Sequence, residues 1–302
     1  MAGNLQYDIV LLTEDKYVLP EKLDAYKSNI LVEDALLRAA LEKHDLKVTR
    51  KSWTDPEFDW SSTKYIIVRT IWDYFEKFDR FLEWFHRVKS LTTFINAADT
   101  IIWNLDKHYL ADLQQKNIPV VETYFVEPGS RVTLKEIYQQ LGWEHIIIKP
   151  AVSGAARHTY QLHADDIAAH EMIFQQLIEK ECMLVQPFQK NIIGIGEYTL
   201  MVMDGKYTHA VLKQAKKGDF RVQDDFGGSV VAWEPDATTI ALAESIIRKI
   251  EPMPVYGRVD LILDNNNILA VSELEIIEPE LWFRTFPPAA QVLGDAIARL
   301  FN

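Results

Sequence analysis

Through the first third of the chain, short apolar runs alternate with stretches in which apolar residues recur every three or four positions. The runs at 9–12, 46–52 and 65–69 read as strands, and the stretch 30–44 as a helix between the first two. That alternation predicts a small α/β domain on a parallel sheet, with ligands beyond the carboxyl ends of its strands. After Asn96 the pattern changes. Asn104 or Asp106 can cap a helix running to about 116, the buried strand 145–149 is stopped by Pro150, and a helix follows at 165–180. Strands at 183–186, 198–203 and 206–212 come next, the last two joined by the tight turn Asp204-Gly205. An amphipathic helix at 236–250, a hairpin at 256–275 and a closing helix at 288–300 complete the pattern. No internal repeat or low-complexity linker stands out, which predicts one multi-lobed unit.

The hairpin concentrates the chemistry. Two runs rich in Val, Ile and Leu flank Asp264 to Asn267, short polar residues that tolerate left-handed turns. A loop of two or four residues would set Arg258 opposite Glu273 and Asp260 opposite Val271. Alternation then projects Arg258, Asp260, Glu273 and Glu275 from one face. Val259, Leu261, Leu263, Ala270, Ser272, Leu274 and Ile276 project from the other, a mostly apolar surface fit for a core. Three carboxylates with one arginine leave an excess of negative charge that a cation would relieve, and Mg²⁺ is the natural candidate. The residues alone are equally consistent with an Arg258–Glu273 cross-strand pair beside two solvated acids.

Composition narrows the classes of function. At 302 residues the chain can form two domains or one large domain with a lid. The apolar runs are far shorter than a membrane span and the N-terminus lacks the blocks of a signal peptide, so the expected location is cytoplasmic. Cys182 is the only cysteine, which excludes an intramolecular disulfide and a cysteine-based zinc cluster. A net charge of -12 argues against general nucleic-acid binding. An anionic ligand must therefore be met by local cations. Candidates are Lys107, placed in a first helical turn, Lys149 at the end of a buried strand, and the basic run from Lys213 to Arg221. The small-residue segment after Pro150, with Ser153 and Gly154, can close over phosphates, although a surface loop would look similar. In the first domain Arg69, Trp72, Asp73 and Tyr74 are candidates for substrate contact, against a background of rings used simply for packing. No P-loop, dinucleotide fingerprint, H-E-x-x-H or nucleophile elbow is present.

Taken together, Lys107, Lys149-Pro150, Gln186-Pro-Phe188, Gly196-Glu197, the loop from Gly218 to Gly228, and Asp260 with Glu273 and Glu275 resemble the ATP-grasp ligases of the glutathione synthetase-like branch. The phrases Arg69-Thr-Ile-Trp-Asp-Tyr74, Trp103-Asn-Leu-Asp-Lys107, Lys149-Pro-Ala-Val-Ser153 and Glu273-Leu-Glu-Ile-Ile-Glu-Pro279 look closest to the O-ureido-serine cyclo-ligase of cycloserine biosynthesis and its relatives. The resemblance implies an α/β, more strictly α+β, ATP-grasp fold. A Rossmann-like N-terminal domain at 1–103 would precede two lobes with mainly antiparallel sheets, at 104–188 and 189–302. It implies ATP held by Lys107, Lys149, Ser153, Gly154, Gln186, Pro187, Phe188, Glu197 and Lys213, and two Mg²⁺ ions on Asp260, Glu273 and Glu275. Arg258, Lys149 and Arg221 would act on the transferred phosphoryl group. The implied activity is ATP-dependent ligation of a carboxylate to an amine through an acyl phosphate, on a small amino-acid-like substrate, with intramolecular cyclisation as one form of it. A homodimer is compatible by analogy. Asparagine often stands in this branch where Glu275 does, arginine where Thr199 does, and the phosphate loop is usually richer in glycine, so glutathione synthesis itself is disfavoured. A nucleotide-binding protein without turnover and a small-molecule kinase are the competing readings.

Overall fold

Val, Ile and Leu on both faces of the first strands require cover on both sides, and the computed structural model supplies it. It describes residues 5–154, 156–216, 218–222 and 227–301. Strands β1 (Tyr7–Thr13), β2 (Val48–Ser52), β3 (Thr63–Thr70) and β4 (Thr93–Ile95) form a parallel sheet in the order β2-β1-β3-β4. Val10, Leu12, Ile66 and Val68 face a cluster of rings that includes Trp53, Trp60, Phe81, Trp84 and Phe85. Ile9, Leu11 and Ile67 face Leu37 and Leu41 of the helix Ala25–Glu42, together with Leu281, Phe283 and Leu293 from the far end of the chain. Each helix on this side approaches closely. A Cβ on Gly294 would lie 2.9 Å from the Ala40 Cβ, so glycine is what lets the helix Pro288–Ala298 seat against Ala25–Glu42.

Strands β5 (Tyr124–Val126), β6 (His145–Pro150), β7 (Tyr160–His163) and β8 (Met183–Pro187) make a second, antiparallel sheet in the order β5-β8-β6-β7. Its core includes Ile137 of the helix Leu134–Leu141 and Phe174 and Ile178 of the helix Ile167–Ile178. The third sheet is also antiparallel, with β9 (Glu197–Met203), β10 (Lys206–Gln214), β11 (Ser229–Trp233), β12 (Tyr256–Leu263) and β13 (Leu269–Glu275) in the order β11-β10-β9-β12-β13. Asp204 and Gly205 both take positive φ in the β9–β10 turn, as the dipeptide predicts.

One face of the third sheet is mostly apolar. It packs Leu200, Val202, Val259, Leu261 and Leu274 against Ala243, Ile246 and Ile247 of the helix Ala237–Arg248 and against Leu110 and Leu113 of the helix Tyr109–Gln115. The other face changes character along its strands. Met201, Met203, Val211 and Tyr256 join the core of the first domain, whereas Glu197, Lys213, Arg258 and Asp260, further along the same face, are charged. The site is therefore cut into the margin of a core.

Several local expectations change. The segment around Asn104 is the end of a helix, Ala98–Leu105, and Lys107 lies in the turn after it, outside the next helix. Asp106 Oδ1 accepts from the His108 N–H at 2.9 Å, so the acid organises the turn. The apolar 98–105 stretch hid this helix because its rings and isoleucines also suit a strand. The sheets fall within the segments 1–103, 104–188 and 189–302, but the cores cross those boundaries: residues 109–118 pack on the third sheet and residues 281–297 on the first. Helix faces, which follow contact and not sequence order, override a linear division of the chain.

His209 offers a test of the joint between domains. It is 6% exposed, and its Nε2 lies 2.9 Å from the Leu281 carbonyl. Burial pushes its pKa down to about 4, with the carbonyls of Leu281 and Trp282 opposing. The native ring is neutral where an unfolded histidine, titrating near 6.5, takes up a proton, so its contribution is complete above that value and is lost as pH falls towards 4. Urea titrations at pH 7.5 and 4.5 should show His209→Gln reducing the acid-induced loss of stability by up to about 3 kcal/mol. Equal losses in the two proteins would contradict the assignment.

Candidate active site

The β12–β13 hairpin carries the acids, and its register differs from expectation in an instructive way. Five residues, 264–268, separate the paired Leu263 and Leu269, and a bulge follows between Asp260 and Leu261. An odd loop alone would put Arg258 and Glu275 on opposite faces. The extra residue at the bulge restores the parity. Arg258 thus pairs with Glu275 and Asp260 with Glu273, where Glu273 and Val271 were expected. Beyond the bulge Val271 takes the core position expected for Ala270. Ser272 turns away from the core: its hydroxyl lies 3.1 Å from Glu197 Oε2 and donates to the Asp260 carbonyl at 3.1 Å.

Asp260 is 1% exposed and is held by two cations. Arg258 Nε donates to its Oδ1 at 3.0 Å and Arg258 Nη2 to its Oδ2 at 2.7 Å, while Lys213 Nζ lies 3.2 Å from Oδ2. Arg258 also pairs with Glu275, and Lys213 with Glu197. Lys107 Nζ lies 3.1 Å from Glu273 Oε1 and donates to the Ser153 carbonyl at 2.9 Å. Lys213 was expected on a basic loop. Strand β10 instead runs on to Gln214 and carries Lys213 into this buried network. Gly196, at φ +97°, makes room for that strand, since a Cβ there would lie 2.3 Å from the Lys213 carbonyl oxygen.

Burial and partners divide the carboxylates. Burial pushes Asp260 up, yet Arg258 and Lys213 outweigh it and hold it below the usual range. Glu273 behaves likewise, with Lys107 and Lys149 outweighing burial. At Glu275 burial dominates, aided by the neighbouring acids, and pushes the carboxyl up to about 8; Glu278 reaches about 7, again chiefly through burial. The Asp260, Glu273 and Glu275 oxygens lie within 4.8 Å of one another, an all-oxygen set that suits a hard divalent cation.

Two cavities meet at these acids. The first, of about 190 Å³, is lined by Lys107, Lys149, Gln186, Phe188, Glu197 and Glu273, with Gly154, Arg221 and Ile262 among its other walls. Lys149 projects from β6 and makes no ion pair within 4 Å among the described residues; burial holds its pKa below the ordinary lysine value, with Glu273 opposing. The second cavity, of about 320 Å³, is bordered by Lys16, Tyr26, Trp72, Glu275, Glu280 and Trp282, and shares Glu197 and Glu273 with the first.

Ser153, Gly154, Pro187 and Phe188 all line the first cavity. Ser153 Oγ donates to the Arg157 carbonyl at 3.1 Å, and the Phe188 N–H donates to the His145 carbonyl at 2.8 Å. Pro187 closes β8 and lines the first cavity. Gly154 abuts the first domain, where a Cβ would lie 2.6 Å from Phe75 Cε1. Residue 155 of the phosphate segment, and residues 217 and 223–226 of the second loop, lie outside the described residues. Of the four first-domain candidates only Trp72 reaches the second cavity, with its Nε1 donating to the Glu278 carbonyl at 3.1 Å. Arg69 is 1% exposed and is consumed by Asp34 and the Pro279 carbonyl, Asp73 by Trp53 and Lys77, and Tyr74 by ring packing. Aromatic and charged residues after a strand signal a ligand only when their surroundings leave them facing a cavity, and here Pro279 and Phe283 cover Arg69 while Trp53 and Lys77 engage Asp73. The reading of the residues missed Lys16, Tyr26, Glu280 and Trp282, which come from three stretches of the chain without a shared motif.

The buried network makes a direct prediction. Lys213→Met leaves Asp260 and Glu197 short of a cation and should destabilise the protein by about 3–5 kcal/mol in urea titration. Lys213→Met with Glu197→Gln should recover part of that loss. Additive destabilisation by the two changes would show that the pair is not coupled.

Residues 9–96 match the family model of the N-terminal domain of D-cycloserine synthetase DcsG. The cycloserine biosynthesis protein DcsG of Streptomyces lavendulae is 31% identical over 242 residues, which cover 76% of this chain and 80% of that protein. The crystal structure of D-cycloserine synthetase DcsG superposes with a TM-score of 0.85 at 25% identity, covering 97% of this chain and 100% of that one. The fold is shared more distantly with the ATP-grasp ligase PsnB in complex with its precursor peptide PsnA2 and AMPPNP, at a TM-score of 0.62 and 14% identity over 99% of both chains. It is also shared with the ATP complex of D-alanine–D-alanine ligase from Bacillus anthracis, at 0.62 and 15% identity over 97% and 96% of the two chains. Among the described residues no helix is long and apolar enough to cross a membrane. With its mixed α/β architecture and antiparallel lobes, the chain belongs to the ATP-grasp carboxylate–amine ligases, in the family of D-cycloserine synthetase DcsG.

Proposed function

We propose that this ligase phosphorylates the carboxylate of a small amino-acid-like substrate with ATP and then joins the resulting acyl phosphate to an amine-type nitrogen. The observation that carries this reading is the shared wall: Glu197 and Glu273 border both cavities. A nucleotide in the first cavity would direct its terminal phosphate at the Glu273 part of that wall, beside Lys107, and a carboxylate in the second would approach Glu273 from the other side. Lys107 and Lys149 bind phosphate oxygens, Gln186, Pro187 and Phe188 line the base, and Glu197 receives the ribose. Ser153, Gly154 and Lys213 complete the nucleotide side. Asp260, Glu273 and Glu275 hold two Mg²⁺ ions, which when bound would offset the nucleotide's charge and orient its phosphates.

Atoms balance without a protein nucleophile. A carboxylate oxygen of the substrate forms a bond to the γ-phosphorus as the bond to the ADP oxygen breaks. The nitrogen lone pair then attacks the acyl carbon, phosphate departs, and the nitrogen loses a proton. Arg258 borders the second cavity and holds Asp260, so its guanidinium can stabilise charge on the transferred group, and Arg221, which lines the first cavity, would act from the nucleotide side. The name of the DcsG relatives favours a substrate whose own nitrogen closes a ring. The arrangement of charges also serves an intermolecular amide bond.

Lys149→Ala and Glu273→Gln should each lower kcat/KM roughly 100-fold or more, and both should weaken nucleotide binding in calorimetry with Mg²⁺ present. With hydroxylamine as nitrogen donor the wild-type enzyme should release a hydroxamate of the substrate. A stable phosphoester in its place would make the protein a kinase.

A further inference from the structure

We propose that His108, Glu127 and Cys182 form a second metal site, selective for a cation of the Zn²⁺ class and separate from the acids of the hairpin. One nitrogen, one oxygen and one sulfur donor converge there, with ligand atoms within 4.8 Å of one another. His108 Nε2 lies 3.0 Å from Glu127 Oε1 and 3.9 Å from Cys182 Sγ. Tetrahedral Zn²⁺, with bonds of about 2.0–2.3 Å, sets its donors roughly 3.2–3.8 Å apart. Small side-chain rotations therefore close the site, with solvent at the fourth position beside the exposed Glu127.

The fold brings these residues together in register. Val126 pairs with Met183 at the end of the β5–β8 ladder, so one step further sets Glu127 opposite Cys182. Phe125 precedes Glu127 by two residues and shares its face. The His108 ring stacks on Phe125 with centroids 4.2 Å apart. Asp106 Oδ1 lies 2.6 Å from His108 Nδ1, which fixes the ring and directs Nε2 towards the other donors. This carboxylate–histidine pairing is the usual support of a metal-ligating imidazole.

A histidine between two carboxylates would suffice as an ion network. The thiol facing the same nitrogen adds nothing to such a network, and it favours a softer cation over Mg²⁺. Burial pushes the Cys182 thiol up to about 12, so without metal it is protonated, and coordination would release that proton to solvent. The site is tied to the nucleotide cavity by backbone: Ala151 N–H donates to the Cys182 carbonyl at 2.8 Å, and Lys107 N–H to the Ala151 carbonyl at 3.1 Å. Occupancy would stiffen the turn that carries Lys107.

The test uses the full chain, reduced and stripped of metal, in excess Mg²⁺ to saturate the hairpin acids, titrated with Co²⁺ and then Zn²⁺. One equivalent of Co²⁺ should give thiolate-to-metal charge-transfer absorption that Zn²⁺ abolishes. Cys182→Ser should remove the band and His108→Gln should weaken binding at least roughly 100-fold. Asp106→Asn should weaken it roughly 10–100-fold and keep the band. Glu127→Gln alters an exposed side chain and provides a variant that does not depend on the packing of Cys182. No band in the wild type, a band that survives Cys182→Ser, or Zn²⁺ binding lost only with Glu273→Gln would overturn the proposal.

Discussion

The structure turns on the burial of Asp260. A carboxylate 1% exposed is tolerable only with its counter-charges in place, and Arg258 and Lys213 reach it from two different strands. Each cation holds a second acid, Glu275 or Glu197. The registers of β9, β10, β12 and β13 are therefore coupled: a slip in any of them would separate a buried charge from its partner. Lys107 and Lys149 add two further cations beside Glu273. Under the proposed function, a nucleotide with its divalent cations would enter by exchanging partners with these side chains.

Holding β13 in place requires more than its hairpin partner, since it is the last strand of the sheet. Its outer edge is occupied. The Tyr109 hydroxyl accepts from the Leu274 N–H, and Asn104 bonds both the Leu274 carbonyl and the Ile276 N–H. The Val121 N–H donates to the Val271 carbonyl, and the Pro119 carbonyl accepts from the Val271 N–H. A chain segment that begins beside the first domain thus completes the strand that carries Glu273 and Glu275. An edge left open there would be free to pair with another chain, and the acids would lose their fixed spacing.

How much of this was legible in the sequence varied with the physics involved. Alternation placed Arg258, Asp260, Glu273 and Glu275 on one face correctly, because a period of two survives any even change of register. The pairing itself was not legible: the five-residue loop and the bulge each shift the register by one, and only their sum preserves the face. Lys213 read as part of a solvated basic run because charge in sequence says nothing about where a strand ends. Arg69 read as a ligand contact because nothing local shows that Pro279 and Phe283, two hundred positions away, cover it, and Asp73 because nothing local shows that Trp53 and Lys77 engage it. The parallel sheet was legible from β1 and β3, whose apolar runs require cover on both faces; the short edge strand β4 was not, and β2, Val-Thr-Arg-Lys-Ser, carries little of the pattern.

That covering segment explains how the first domain frames the active site while most of the site's charges come from the third sheet, with Lys16 and Glu76 at the second cavity its own contribution. Tyr256 donates its hydroxyl proton into a nest of carbonyls from Val68, Ile95 and Ile277, Arg69 binds the Pro279 carbonyl, and Trp72 binds the Glu278 carbonyl. Asn96 ties the same region to Tyr256 and Ile276. These bonds fix residues 276–279, and the chain then passes to Trp282, whose φ of +45° turns its ring into the second cavity against Arg258. Buried bonds to backbone carbonyls are insensitive to which side chains the segment carries, so the frame can stay constant while the cavity's lining changes. Under the proposed function, such an arrangement would let one ATP-grasp scaffold serve different carboxylates, with the phosphate chemistry on the coupled strands and specificity on a segment suspended from the first domain.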